Sequence, residues 1–276
     1  MTEPAIVPGA LFHDQLAASW TAAYEGGSFS RRLQFFIPYL DRFVEQGDRW
    51  LDAGCGSGVL AKLLAARGAS VVAVDASPAM IAQGQGAQAS FPGIEFQLIT
   101  TIESLPVRDG TMDGVLCSSV LEYVSDPKAA LQEFSRVLAP GAVLLVTVPN
   151  RFSLIRSGQA FVRAVGKLFG RSLFSYLGVS KQTFSTRRIS RLLVDSGFVV
   201  EEIVGFSPFL PFSLEAFGWH GVGEGDTVGF VKGDISIEGP HPLFSSGGNL
   251  GSGRTRTAMR SEEHTSELQS RQYLVC

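Results

Sequence analysis

The chain is poor in the residues that most often announce a function. It has 3 cysteines, 4 histidines, 4 methionines and 3 tryptophans in 276 residues. Cys55, Cys117 and Cys276 are too few for a disulfide framework, and the first two fall at expected strand ends, a reduced, cytoplasmic pattern. The chain also lacks a basic surplus. Its formal net charge of −3 argues against a general nucleic-acid binder. No apolar run reaches the length of about 18 residues that a spanning helix needs. The first residues include Glu3 and no basic cluster ahead of an apolar run, so no signal peptide is expected. Hydrophobic residues make up 45%, enough for one large α/β domain with a well-buried core.

The most informative stretch is Trp50 to Gly58, WLDAGCGSG. Its apolar start reads as a short buried strand, and Gly54, Gly56 and Gly58 read as a loop whose backbone approaches a ligand closely. Val59, Leu60, Leu63 and Leu64 then recur at helical spacing. Strand, glycine loop and helix form the first unit of a nucleotide-binding α/β fold.

Around that unit, helices are expected over 11–24 and 29–45, the second kinked at Pro38. Strands are expected at 49–53, 70–75, 96–100, 113–117 and 142–148. Ser77-Pro78 and Asp126-Pro127 open the intervening helices; the latter runs to Leu138 and is ended by Pro140-Gly141. A helix over 185–196 and a strand over 198–205 follow. Continuous apolar strands alternating with helices predict a parallel sheet covered on both faces. Arg151 to Ser180 differs: it carries five basic residues, no acid and many large apolar residues.

Two nucleotide classes use such a loop. Dinucleotide enzymes need G-x-G-x-x-G. Here the spacing is G-x-G-x-G, and the position of that third glycine is Val59, which disfavours a pyrophosphate. A nucleoside with an amino-acid tail fits better. Asp75, 21 residues after Gly54, ends the second strand and can accept both ribose hydroxyls. Asp52 can meet a cationic amino group or simply cap the loop. Asp113 reads as a structural strand-start residue and Cys55 as a small loop filler.

With these residues in place, the chain resembles class I S-adenosylmethionine-dependent methyltransferases of the small-molecule type that includes quinone-biosynthesis enzymes. The resemblance spans about 50–206 and rests on LDAGCGSG, VVAVDASPAMI and IESLPVRDGTMDGVLCSSVLEYVSDPKAALQEFSRVLAPGAVLLVTVPN. It implies a Rossmann-like, doubly wound sheet, mostly parallel with one antiparallel last strand, and S-adenosyl-L-methionine as cofactor. It implies that Asp52, Gly54, Gly56 and Gly58 face the methionine portion, Asp75 the ribose, and Ala76 and Met80 the adenine side. Thr101 and Ile102 match the adenine-reading position, where Thr101 departs from the acid often found. Cys117 and Ser118 would lie beside the sulfonium.

Methyl transfer to a neutral acceptor usually needs a base. Many relatives place a histidine in a pattern like LEHV; here Leu121-Glu122-Tyr123-Val124 puts tyrosine there. Glu122, Tyr123 and His13 are the catalytic candidates, and no metal is expected. The expectation is methyl transfer to a small, hydrophobic acceptor, with O-, C- and N-methylation open. The alternatives are a non-catalytic or truncated S-adenosylmethionine-binding protein and a nicotinamide-dependent oxidoreductase.

The organisation expected is an N-terminal helical cap (1–48), the cofactor-binding core (49–150), an apolar and basic lid (151–184) and the end of the core (185–217). A glycine-rich segment (218–259) reads as a loop region, a disordered tail or a wrong reading frame. The last segment (260–276) contains RSEEHTSELQS, which looks like a translated sequencing adapter. Residues 151–180 read as a substrate lid, a helix lying on a membrane surface, or an ordinary core-packing pair. The partners expected are a small-molecule acceptor and no nucleic acid, with the oligomeric state open. The only candidate for a final strand is 227–237.

Overall fold

The computed structural model describes residues 8–24, 27–86, 88–168, 175–206 and 226–230. Two helices come first, α1 (Pro8–Ala23) and α2 (Gly27–Phe43). Then follow β1 (Arg49–Ala53), α3 (Val59–Ala65), β2 (Ser70–Asp75), α4 (Pro78–Gly86), β3 (Ile94–Leu98), β4 (Met112–Ser118), α5 (Pro127–Val137) and β5 (Leu138–Val148). The chain continues through α6 (Leu154–Leu168), α7 (Thr186–Val194), β6 (Glu202–Phe206) and β7 (Asp226–Phe230).

The strands form one seven-stranded sheet in the order β3-β2-β1-β4-β5-β7-β6. The first five pair in parallel, and β7 runs antiparallel between β5 and β6. This is the doubly wound, mostly parallel sheet that the alternating pattern predicts. The order reverses between β1 and β4, which opens a crevice at the carboxyl ends of those strands.

Strand alternation divides the core in two. Leu51, Val115, Leu144 and Val146 face one layer, where α5 contributes Ala130, Leu131 and Phe134, and α7 Ile189 and Leu193. Trp50, Leu116, Val143 and Leu145 face the other, where α2 contributes Phe36 and Leu40, and α3 Leu60 and Leu64. Successive residues of one strand thus serve opposite layers.

Several boundaries differ from expectation. β3 starts at Ile94, two residues before Phe96, because Ile94 and Glu95 already pair with Val71 and Val72. β5 begins directly after α5, and Pro140-Gly141 lies inside it; the register with β4 shifts between Met112 and Gly114 to accommodate the extra residues. β6 starts at Glu202 rather than at 198, since Phe198 is held back against the end of α7, its N–H bonded to Leu193 O. The last strand is Asp226–Phe230, shorter than 227–237. Helix α2 runs unbroken through Pro38, which is exposed. Asp113 ties β4 to β1 by accepting the Arg49 N–H at 2.8 Å. The readings for 218–225 and 231–276, including Cys276, His220, His241 and His264, lie outside the described residues.

No described helix is long and apolar enough to cross a membrane. Among the described residues, no group of three His, Cys, Asp or Glu side chains could hold a metal ion.

Candidate active site

A cavity of about 470 Å³ lies at the carboxyl ends of β1, β2 and β4, within the size range of small-molecule sites. Its floor is the glycine loop. The loop is tied to β2 by Gly54 N–H and Cys55 N–H, which both donate to Val74 O. Gly54 has φ +78°, and a Cβ there would come within 2.2 Å of Val120. Gly58 has φ +79° at the start of α3, and a Cβ there would meet the Phe96 ring at 2.5 Å. Backbone shape and lack of space both demand glycine at these two positions.

Two carboxylates line this end. Asp75 is half-buried: its Oδ2 accepts from Gly56 N–H at 2.8 Å and its Oδ1 from Ser77 N–H at 2.9 Å. An ionised carboxylate has about four acceptor positions, so room remains for ribose hydroxyls. Burial raises its pKa, and the Ser77 and Gly56 amides and the nearby His13 oppose that rise. Asp52 is fully buried, and its Oδ2 has no hydrogen-bond partner among the described residues. Burial first, then the Asp75 charge, push Asp52 up to about 7. Such a group is short of a cation. Arg32, from α2, also lines the cavity and hydrogen-bonds Tyr24, whose pKa is raised, first by burial, with Arg32 opposing the rise and Asp52 adding to it. A cation and an anion in the lining of one cavity suit an α-amino acid, which carries both charges. The donor set therefore fits the methionine and ribose portions of S-adenosylmethionine.

The roof comes from α1. Gly9, Phe12, His13, Leu16 and Trp20 face the cavity. A Cβ on Gly56 would lie 2.9 Å from Trp20 Nε1, so α1 rests directly on the glycine loop. Asp14 fastens the roof: its Oδ1 accepts from the Ser77 hydroxyl, and from Ala79 N–H at 3.1 Å. Thr21 Oγ1 adds a contact to Ser57 Oγ at 3.1 Å. His13 stands edge-on to Tyr123 and to Trp20, with ring centres 5.1 and 5.3 Å apart. Its Nδ1 lies 2.7 Å from Gly9 O. A carbonyl only accepts, so Nδ1 carries the proton and Nε2 is the acceptor in the neutral ring.

Of the residues expected at the cofactor, Asp52, Gly54, Gly56, Asp75 and Ala76 line the cavity. So do Met80, Thr101, Ile102 and Ser118. Gly58 and Cys117 do not. Gly58 turns the chain into α3 beside Phe96. Cys117 points into the core, because alternation along β4 gives the cavity to Ser118 instead. Burial also pushes the Cys55 and Cys117 thiols well above their usual range, so neither is a thiolate.

The three catalytic candidates, His13, Glu122 and Tyr123, all line the same cavity. Sequence reasoning missed Arg32, Trp20, Arg156 and Gln159, which belong to no motif, and Glu103, which lies in the IESLPV stretch but was given no role. Glu103 had a faint signal: it follows Thr101 by two residues, accepts from Thr101 Oγ1 at 2.5 Å and from Asp126 N–H at 2.6 Å, and brings an acid to the wall where Thr101 lacks one.

Comparison with known proteins agrees with this geometry. The family model for a methyltransferase domain matches residues 51–146. The chain is 36% identical over 121 residues to malonyl-acyl-carrier-protein O-methyltransferase of Serratia marcescens, covering 44% of this chain and 46% of that protein. It is 33% identical over 144 residues to ubiquinone biosynthesis O-methyltransferase of Hahella chejuensis, covering 51% of this chain and 60% of that one. The chain spans about half the length of the curated relatives it matches. Among solved structures, geranyl diphosphate methyltransferase in complex with S-adenosylmethionine superimposes with a TM-score of 0.50 at 23% identity, covering 66% of this chain and 69% of that one. That likeness shows the fold. The stretch that builds much of the cofactor side of the cavity, residues 51–146, is thus the part of the chain that is similar to a methyltransferase domain and to these O-methyltransferases.

Proposed function

We propose that this protein transfers a methyl group from S-adenosylmethionine to a small, apolar acceptor, with oxygen as the first atom to test and His13 as the base. The observation that carries the reading is the buried Asp52 carboxylate, whose Oδ2 has no hydrogen-bond partner among the described residues, in a cavity that Arg32 also lines: an α-ammonium would suit the first and an α-carboxylate the second. Bound there, the sulfonium supplies an electrophilic methyl group, which passes in line to the acceptor atom as the carbon–sulfur bond breaks and a neutral thioether is left.

The chain's own residues do the rest. Asp75 accepts from the ribose, and Arg32 donates to the carboxylate. The α1 roof excludes water, and Phe12, Leu16, Val120 and Val124 supply an apolar wall to the acceptor. His13 Nε2 takes the acceptor's proton as the new bond forms, while the bond from Nδ1 to Gly9 O holds the tautomer. The curated relatives named above are O-methyltransferases, which is why oxygen leads.

Isothermal titration with S-adenosylhomocysteine tests the reading. Wild type binds, and Asp75→Ala and Arg32→Ala each weaken binding about tenfold or more. Absence of wild-type binding, or unchanged affinity in both variants, rejects it.

A further inference from the structure

Helix α6 is inside out. Its polar side faces the protein: Arg156 and Gln159 line the cavity, Arg156 donating to Ser180 Oγ at 3.0 Å, and the Arg163 guanidinium lies against Gly178. Its apolar side faces outward, with Phe161 70% exposed, Val162 44% and Val165 37%; just before the helix, Phe152 is 68% exposed. These four are half of the large apolar side chains exposed among the described residues. A surface helix ordinarily does the reverse, so this face is built to be covered.

Charge identifies the cover. Residues 151–194 hold nine of the 23 basic residues and none of the 26 acidic ones, in a chain of net charge −3. Arg151 and Lys167 flank the exposed apolar side chains and are themselves exposed. A second copy meeting this face through a twofold axis would set like charges against each other. An anionic bilayer meets both features at once: phenylalanines enter the acyl boundary and basic side chains meet phosphate headgroups.

We infer that α6 and the turn before it, with Phe152 and Phe161 as anchors, dock the protein on an anionic lipid surface, placing the cavity wall formed by Arg156 and Gln159 at the membrane. An apolar acceptor then reaches the cavity from the lipid phase. The docking surface stands apart from the methyl-transfer reading, because its assay needs neither cofactor nor acceptor.

The test is co-sedimentation of the full chain with phosphatidylcholine vesicles, with and without phosphatidylglycerol. Wild type pellets with the anionic vesicles and not with the neutral ones, and added salt releases it. The double variant F152S/F161S loses about tenfold or more in partitioning. Arg151→Gln and Lys167→Gln each lose about fivefold. Unchanged circular dichroism and thermal unfolding of these variants show that the fold survives. Equal pelleting with neutral and anionic vesicles, no pelleting, or wild-type retention by F152S/F161S overturns the inference. So does sedimentation velocity showing a dimer that F152S/F161S converts to monomer, since the face would then belong to a second copy.

Discussion

Helices α5 and α6 are both strongly amphipathic, yet they use their two faces in opposite ways. In α5, Pro127, Ala130, Leu131, Phe134 and Val137 are buried against the sheet, Asp126 caps the N-terminus by accepting from Lys128 and Ala129 N–H, and the polar side meets water. In α6 the polar residues Arg156 and Gln159 turn inward and Phe161 turns outward. The difference follows from what each helix covers. The sheet under α5 is apolar, so hydrophobic burial chooses the face. Under α6 lies the cavity rather than the sheet, and the helix turns Arg156 and Gln159 toward it. The molecule thus has a core whose residues hold the fold and a roof, α1 with α6, whose residues face a ligand.

The largest effect that separates core from roof is on stability. Phe134 is completely buried in the α5 layer. Phe134→Ala should cost about 3–5 kcal/mol of unfolding free energy by urea denaturation. Phe161→Ser should stay within about 0.5 kcal/mol of wild type. Equal losses would mean that α6 is ordinary core and would erase the contrast.

Next comes catalysis at the roof. His13→Gln should lower kcat about a hundredfold while S-adenosylhomocysteine affinity changes little. The loss should fall on kcat and not on cofactor binding, a split that a purely structural role for His13 would not cause. A loss of affinity equal to the loss of kcat would move His13 from the acceptor side to the cofactor side.

Asp52 gives a smaller and graded effect. Its carboxyl stands at about 7 in the free protein, raised first by burial and then by Asp75. A cationic amino group favours the ionised form. Below pH about 7 the free protein holds a proton that binding must release, so affinity for S-adenosylhomocysteine should fall about tenfold per pH unit there and level off above it. Asp52→Asn should flatten this slope, as measured by titration from acid to neutral pH.

How far the sequence reveals all this depends on whether neighbours in the chain are neighbours in the site. Asp52, the glycines and Asp75 sit on two consecutive βα turns, so their spacing is itself the geometry, and the limits of β1 and β2 follow from the same apolar runs. The place of Cys117 needed the phase of β4, since one residue decides between core and cavity. Arg32, Trp20 and His13 reach the site only because two helices before the sheet fold back over it, and no local pattern encodes that return. In α6 the two faces were legible from periodicity, but not which one turns inward; that depends on what the helix covers, which the local sequence does not specify. The last strand is set by pairing with β5 and β6 across 19 intervening residues, a long-range event that propensity alone does not locate.

The smallest expected effect tests how the roof is fastened. Asp14 belongs to α1, yet it accepts from Ala79 N–H in the first turn of α4 and from the Ser77 hydroxyl, doing for that helix what a local capping residue would do. One side chain therefore links the start of a core helix to the roof above the glycine loop. Asp14→Ala should cost about 1 kcal/mol in global stability, the usual loss for a missing cap, and the greater change should be local. Amide hydrogen exchange in 8–23 should quicken while β1, β4 and β5 keep their protection, because Trp20 on the glycine loop and Thr21 on Ser57 hold α1 only weakly once Asp14 is gone. Bound S-adenosylhomocysteine should restore much of the protection, since it fills the space between roof and loop. Faster exchange spread evenly over sheet and roof would show that α1 is part of the core and that the distinction between the two regions is wrong.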